Sequence, residues 1–157
     1  MRTFPQELVD MVIDELAGHP IHRLSPYSLI SRAWVTRTQQ YHFKWIYFGG
    51  LDELEMWCRK IAPDPAGVSR HTRQLVLANI STLEGFEAHM RAFTRVEDLE
   101  ITGCHFLLSP SAVECFAPMG FSLVQLEINK SPTTSHIITS LLAALPQLKD
   151  FITKISK

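Results

Sequence analysis

Cysteine is scarce in this chain: Cys58, Cys104 and Cys115 are the three among 157 residues. An odd number at this density excludes the disulfide framework of a small secreted domain and points to a reducing compartment. An excess of one charge is also missing. The 15 basic and 16 acidic residues leave a net charge of -1, so nothing global points to nucleic acid or an anionic membrane. Long apolar runs are absent too. The nearest candidate, CHFLLSPSAVECFAPMGF (104–121), holds two prolines and a glutamate and reads as a core segment. The N-terminus MRTFPQELVD reaches Glu7 and Asp10 before any apolar run, so no signal peptide is expected. The catalytic signatures HExxH, paired CxxC, a Gly-rich phosphate loop and GxSxG do not occur. Cys104-His105 has no further ligand or base at suitable spacing, and Cys104 falls where Ile80 does in a repeat described below, a buried position. No metal, no cofactor and no enzymatic activity are therefore expected.

What is present is a folding composition, 46% hydrophobic and 20% charged, long enough for one domain or two small modules. Residues 4–17 form the clearest helix. Thr3 can cap it, Pro5 suits its first turn, Glu7 answers the positive end of its dipole and Gly18 stops it. Val9, Val12, Ile13 and Leu16 follow the i, i+3, i+4, i+7 stripe, while Leu8 and Met11 widen the apolar arc beyond one face. A helix of this kind is buried on two sides. Residues 25–48 continue as two short helices, and Trp45 and Trp57 are assigned to the core. Gly49-Gly50 breaks the chain, 51–62 is again helical, and the residues up to 72 read as loop.

From residue 73 the pattern changes. RQLVLANIS (73–81), VEDLEITGC (96–104) and LVQLEINKS (123–131) each carry apolar-x-apolar: Leu75/Leu77, Leu99/Ile101 and Leu126/Ile128. LKDFITKIS repeats it with Phe151 and Thr153, and the successive offsets are 24, 27 and 25 residues. Helix-like pieces lie between, at 82–93, 110–119 and 134–145. A strand and a helix at this period read as a short leucine-rich-repeat-type solenoid. Its strands would form a parallel sheet with outer helices, and Val76, Glu100 and Glu127, the residues between the inward pairs, would face a target. Two glutamates there hint at a basic target patch, although a solvated polar face is the plainer reading. No polar cap follows the fourth strand, so the array reads as incomplete at its C-terminus, unless Lys149, Lys154 and Lys157 blunt the edge instead.

Phe4-Pro5-Gln6-Glu7-Leu8, followed by Ser31-Arg32-Ala33-Trp34, resembles the F-box, which typically opens Leu-Pro-x-Glu-Leu and later shows Cys-Arg-x-Trp. Phe4 stands for the usual Leu and Ser31 for the common Cys. With the repeats behind it, the chain looks like a fungal F-box/leucine-rich-repeat protein. The resemblance implies a substrate receptor of an SCF-type cullin–RING ubiquitin ligase. The F-box would dock a Skp-family adaptor, and through it cullin, while the repeats hold a protein target. It also implies that Pro5, Leu8, Val12, Leu16, Leu29, Arg32 and Trp34 dock the adaptor or support docking.

The expected fold class is thus α+β to α/β. A three-helix F-box-like module (1–48) is followed by a helix and linker (49–72), and then by a leucine-rich-repeat-like solenoid (73–157). A second reading makes 49–72 a degenerate first repeat whose strand carries Ile46 and Phe48. The chain would be a monomer within a hetero-complex in the cytoplasm or nucleus, binding neither membrane nor nucleic acid. A repeat-based scaffold with no ligase association is the alternative. Arg23, Arg32, Arg37 and Lys44 fall in a stretch free of acids between Glu15 and Asp52. They read as chance and helix C-terminal preference, as a surface for an acidic partner such as the adaptor, or as the footprint of a helix-turn-helix.

Overall fold

A computed structural model describes residues 5–18, 32–61, 65–85, 87–108 and 111–154. The chain divides into two compact units, Met1–Trp45 and Ile46–Lys157.

The first unit contains α1 (Gln6–Gly18) and α2 (Arg32–His42). Pro5 precedes α1, and its carbonyl accepts the N–H groups of Leu8 and Val9. Thr3, the expected cap, and residues 25–31 lie outside the described residues. Val9 and Ile13 are fully buried, with Leu16, Ala17, Trp34 and Tyr41 packed against them. In α2 the buried Thr38 hydroxyl donates back to the carbonyls of Trp34 and Val35, which satisfies it inside the helix.

The second unit is a mixed α/β layer built on a five-stranded sheet whose spatial order is the chain order, β1 to β5. The strands are β1 (Trp45–Phe48), β2 (Gln74–Ala78), β3 (Asp98–Thr102), β4 (Gln125–Asn129) and β5 (Asp150–Lys154). From β2 onward every pair is parallel, and Leu75, Leu99, Leu126 and Phe151 lie in one row. The apolar-x-apolar pairs of β2, β3 and β4 are buried. Between the strands along the chain lie α3 (Leu51–Ile61), α4 (Pro65–Ser69), α5 (Glu87–Arg91), α6 (Ser111–Phe116) and α7 (Ser135–Ala144). Trp57 of α3 joins this core, edge-on to Phe48 at 5.6 Å and stacked on Phe93 at 5.5 Å.

Several elements differ from expectation. Residues 45–48 are a strand beside β2, as the second reading had it for Ile46 and Phe48, and not part of a helix. Trp-Ile-Tyr-Phe is rich in aromatic and β-branched side chains, and its burial alternates residue by residue. That alternation buries Ile46 and Phe48 and leaves Trp45 56% exposed, so Trp45 is not a core residue. Residues 65–69 are a short helix rather than loop. The helix expected over 82–93 shrinks to α5. Its start is displaced because Gly85 adopts a left-handed φ of 83° and the Thr82 hydroxyl accepts the N–H of Glu84, which commits the preceding residues to a turn.

Two backbone ladders bracket the sheet. On the entry side, Glu97 and Asp98 N–H donate to the Arg73 carbonyl, Val124 and Gln125 to Glu97, and Lys149 and Asp150 to Val124. On the exit side, Asn79, Gly103 and Lys130 are left-handed, at φ of 55°, 64° and 49°. Each of these donates its N–H to the next strand's last carbonyl, on Thr102, Asn129 and Lys154. Just beyond, buried Cys104 donates its thiol to the Leu77 carbonyl and its N–H to the Ser131 hydroxyl. Burial pushes the Cys104 thiol up, which keeps it protonated and unreactive.

Candidate docking surfaces

In the first unit the candidate surface is the outer side of α1. An α-helix turns about 100° per residue, so Leu8, Met11, Val12 and Glu15 share one arc opposite Val9, Ile13 and Ala17. Leu8 is 44% exposed, Met11 66% and Val12 42%. The apolar arc therefore has a buried half and an open half. The stripe read from sequence grouped Val12 with Val9 and Ile13, but Val12 lies on the open half. Leu16, carried over as a docking residue, packs on the buried half. Met11 was not among the residues carried over, yet it is the most exposed of the set. Its position three residues after Leu8 was the available signal. Pro5 is exposed at the head of the same helix, and Trp34 is half-buried against Val9 and Ile13. Leu29 and the side chain of Arg32 lie outside the described residues.

The orientation of α1 on α2 is fixed by charge. Arg37 grips Asp14 with two parallel bonds, Nε to Oδ1 at 2.8 Å and Nη2 to Oδ2 at 2.7 Å. The Tyr41 hydroxyl donates to the same Oδ1 at 2.9 Å. The Arg37 hydrogen bond holds the Asp14 carboxyl below the usual carboxylate range. Arg37 is thus committed inside the unit, and it drops out of the basic surface proposed for an acidic partner. Lys44 remains exposed, and Arg23 lies outside the described residues.

In the second unit the candidate surface is the sheet face opposite the buried apolar-x-apolar rows. Register places Val76, Glu100, Glu127 and Ile152 in one row across four strands. The row before it is Gln74, Asp98, Gln125 and Asp150, and the row after it Ala78, Thr102, Asn129 and Lys154. Tyr47 of β1 is exposed, out of phase with buried Ile46 and Phe48. Glu127 is held by Lys154 at 2.7 Å and by the Asn129 amide at 2.9 Å, which keeps its carboxyl low. Glu100 accepts from the Thr102 hydroxyl at 3.0 Å. Asp98 has the opposite environment. Burial first, and then the charges of Glu100 and Glu127, raise its carboxyl above the ordinary value. The three residues chosen from sequence are therefore neighbours in one row, half-buried with their tips outward. Asp98, Gln125 and Ile152 belong beside them, and the same in-register spacing could have identified them.

Among the described residues, no group of three or more His, Cys, Asp or Glu side chains is placed to hold a metal ion, and no helix is long and apolar enough to cross a membrane. Comparison with protein-family models, with curated proteins and with solved structures found no match to this chain.

Proposed function

We propose that the chain is a substrate-recognition adaptor of an SCF-type cullin–RING ubiquitin ligase. In this reading the open side of α1 docks a Skp-family adaptor, and the open sheet face receives a protein target. The observation that carries it is the divided apolar arc of α1: Val9 and Ile13 fill the unit's own core, while Leu8, Met11 and Val12 stay in solvent. Three large apolar side chains on one exposed arc are the anchors expected of a helix seated in a partner's groove. The Pro5-Gln6-Glu7-Leu8 opening and Trp34 supply the F-box resemblance, and Leu29 and Arg32 enter only through it. The strand–helix units of the second body, in register at the period read from sequence, support a leucine-rich-repeat-like receptor surface. The role is non-catalytic, and cullin is reached through the adaptor.

The test is co-expression with a Skp-family adaptor followed by gel filtration, with Leu8→Asp/Val12→Asp as control. Co-elution of the wild-type chain, lost in the control, supports the reading. A folded chain that elutes alone overturns it. The second reading is a protein-binding scaffold without ligase association. It is favoured by the open sheet face, which is complete within the second unit whatever α1 does, and a chain that elutes alone but captures a protein through Glu100 and Glu127 would establish it.

A further inference from the structure

The entry side of the sheet gathers positive charge that neither candidate surface uses. Arg70 and His71 follow α4, Arg73 immediately precedes β2, and Arg95 lies three residues before β3. The parallel register brings these two entries together. The Arg73 carbonyl accepts the N–H groups of Glu97 and Asp98 at 2.8 and 3.0 Å, and Arg73 Nη1 donates to the Arg95 carbonyl at 3.1 Å. Arg70 Nε donates to Nε2 of His71 at 3.3 Å. The local acid is Glu97, 3.5 Å from Arg73 Nε. Among the described residues, no side chain or carbonyl answers the guanidinium of Arg95, and Arg70 meets only the His71 ring. Both arginines are exposed.

We propose that Arg70, Arg73 and Arg95, with His71 beside Arg70, form a binding site for a phosphomonoester dianion. The proposal is independent of the ligase reading, because every residue in it belongs to the second unit. Arg70 bonds His71 and Arg73 reaches the Arg95 carbonyl, so the three arginines are neighbours at one sheet entry, and a cluster of guanidinium groups matches a group that offers three acceptor oxygens and close to two negative charges. His71 already registers their field. Burial, then Arg70, Arg95 and Arg73, hold its pKa below the ordinary imidazole value, so at neutral pH the ring is uncharged and free to accept from Arg70. A polyanion fits less well. Its neutralisation needs a row of cations along a track, whereas the face beside this cluster carries Asp98, Glu100, Glu127 and Asp150. A single phosphate, free or carried on a phosphorylated side chain, matches the size of the cluster.

The experiment follows the His71 ring by NMR while inorganic phosphate is added to the full chain at constant ionic strength. A phosphoserine peptide and its unphosphorylated twin are titrated in parallel. The expected result is a saturable shift with a raised His71 pKa, since a dianion favours the imidazolium. Arg95→Gln should weaken binding about tenfold, the loss of one charged pair. Arg59→Gln, on the exposed outer side of α3, should leave it unchanged. Melting of Arg95→Gln monitored by circular dichroism shows that it is folded, and Arg70→Gln serves as an independent second variant. Tighter binding of the phosphopeptide than of inorganic phosphate assigns the site to a phosphorylated side chain, and equal binding assigns it to free phosphate. The proposal is overturned by the absence of a saturable shift, by the same shift with chloride alone, by binding that survives both variants, or by heparin binding where phosphate does not.

Discussion

Asp98 and Asp14 are two carboxylates with opposite environments, and pH separates them. Asp14 is bound by Arg37 and Tyr41, so its folded pKa lies below the ordinary value near 3.8. Its contribution to stability is present above that value and is lost as pH falls through the folded pKa. Asp98 is raised by burial and by Glu100 and Glu127. Its protonated form favours the fold, so stability is lost as pH rises from the ordinary value through the folded pKa. Asp98→Asn should therefore raise the melting temperature at pH 7, and the gain should vanish at a pH below the ordinary carboxylate value. Melts at the two pH values check this, and a gain that does not change with pH would refute the electrostatic account. Glycine makes a steric contrast at the same scale: a methyl on Gly103 would come within 2.9 Å of the Asn79 side chain, on top of a left-handed φ. A side chain there would be strained by the backbone and would have to displace the Asn79 amide, although Asn79 and Lys130 hold the same left-handed φ at the neighbouring rungs.

At the scale of the element, α1 allows a direct comparison within one helix. Ile13→Ala opens a cavity beneath a fully buried side chain and should cost about 3 kcal/mol. Met11→Asp replaces an exposed side chain and should cost within about 0.5 kcal/mol. In the ligase reading it should also abolish co-elution with the adaptor. Denaturant titration of both variants separates the two halves of the arc, and equal destabilisation would mean that the outer half is not free. Much of this element was legible beforehand. The width of the apolar arc said that two faces existed, because periodicity counts apolar side chains around a cylinder. It did not say which half the chain itself covers. That was decided by α2, through Trp34, Tyr41 and the Asp14–Arg37 clasp, none of which is local in sequence. The strand at 45–48 was legible only as the second reading, a degenerate first repeat through Ile46 and Phe48, for a related reason: four residues after a helix are too few for periodicity to separate strand from helix, and the sheet partner lies about thirty residues away in sequence. The apolar-x-apolar pairs, by contrast, gave β2, β3 and β4 in their observed register, because each strand repeats the same burial requirement.

At the scale of the molecule, the second unit adds one strand at a time in chain order, so burial is greatest in the middle and least at β5. Leu99, 1% exposed and flanked by β2 and β4, should cost about 3 kcal/mol on truncation to alanine. Phe151, half-buried in the edge strand, should cost about half as much despite its larger ring. Denaturant midpoints of the two variants test this gradient, and a larger loss at Phe151 would contradict it. The exit ladder of Asn79, Gly103 and Lys130 carries a further consequence. Each rung performs the same backbone operation, a left-handed residue that hands its N–H to the neighbouring strand, so the geometry is translational and does not depend on which strand it follows. A segment such as 98–124 is therefore a self-contained splice unit. A gene copying it in tandem would supply both its own docking template and the template for the next copy, and the sheet could lengthen without any existing contact being redesigned.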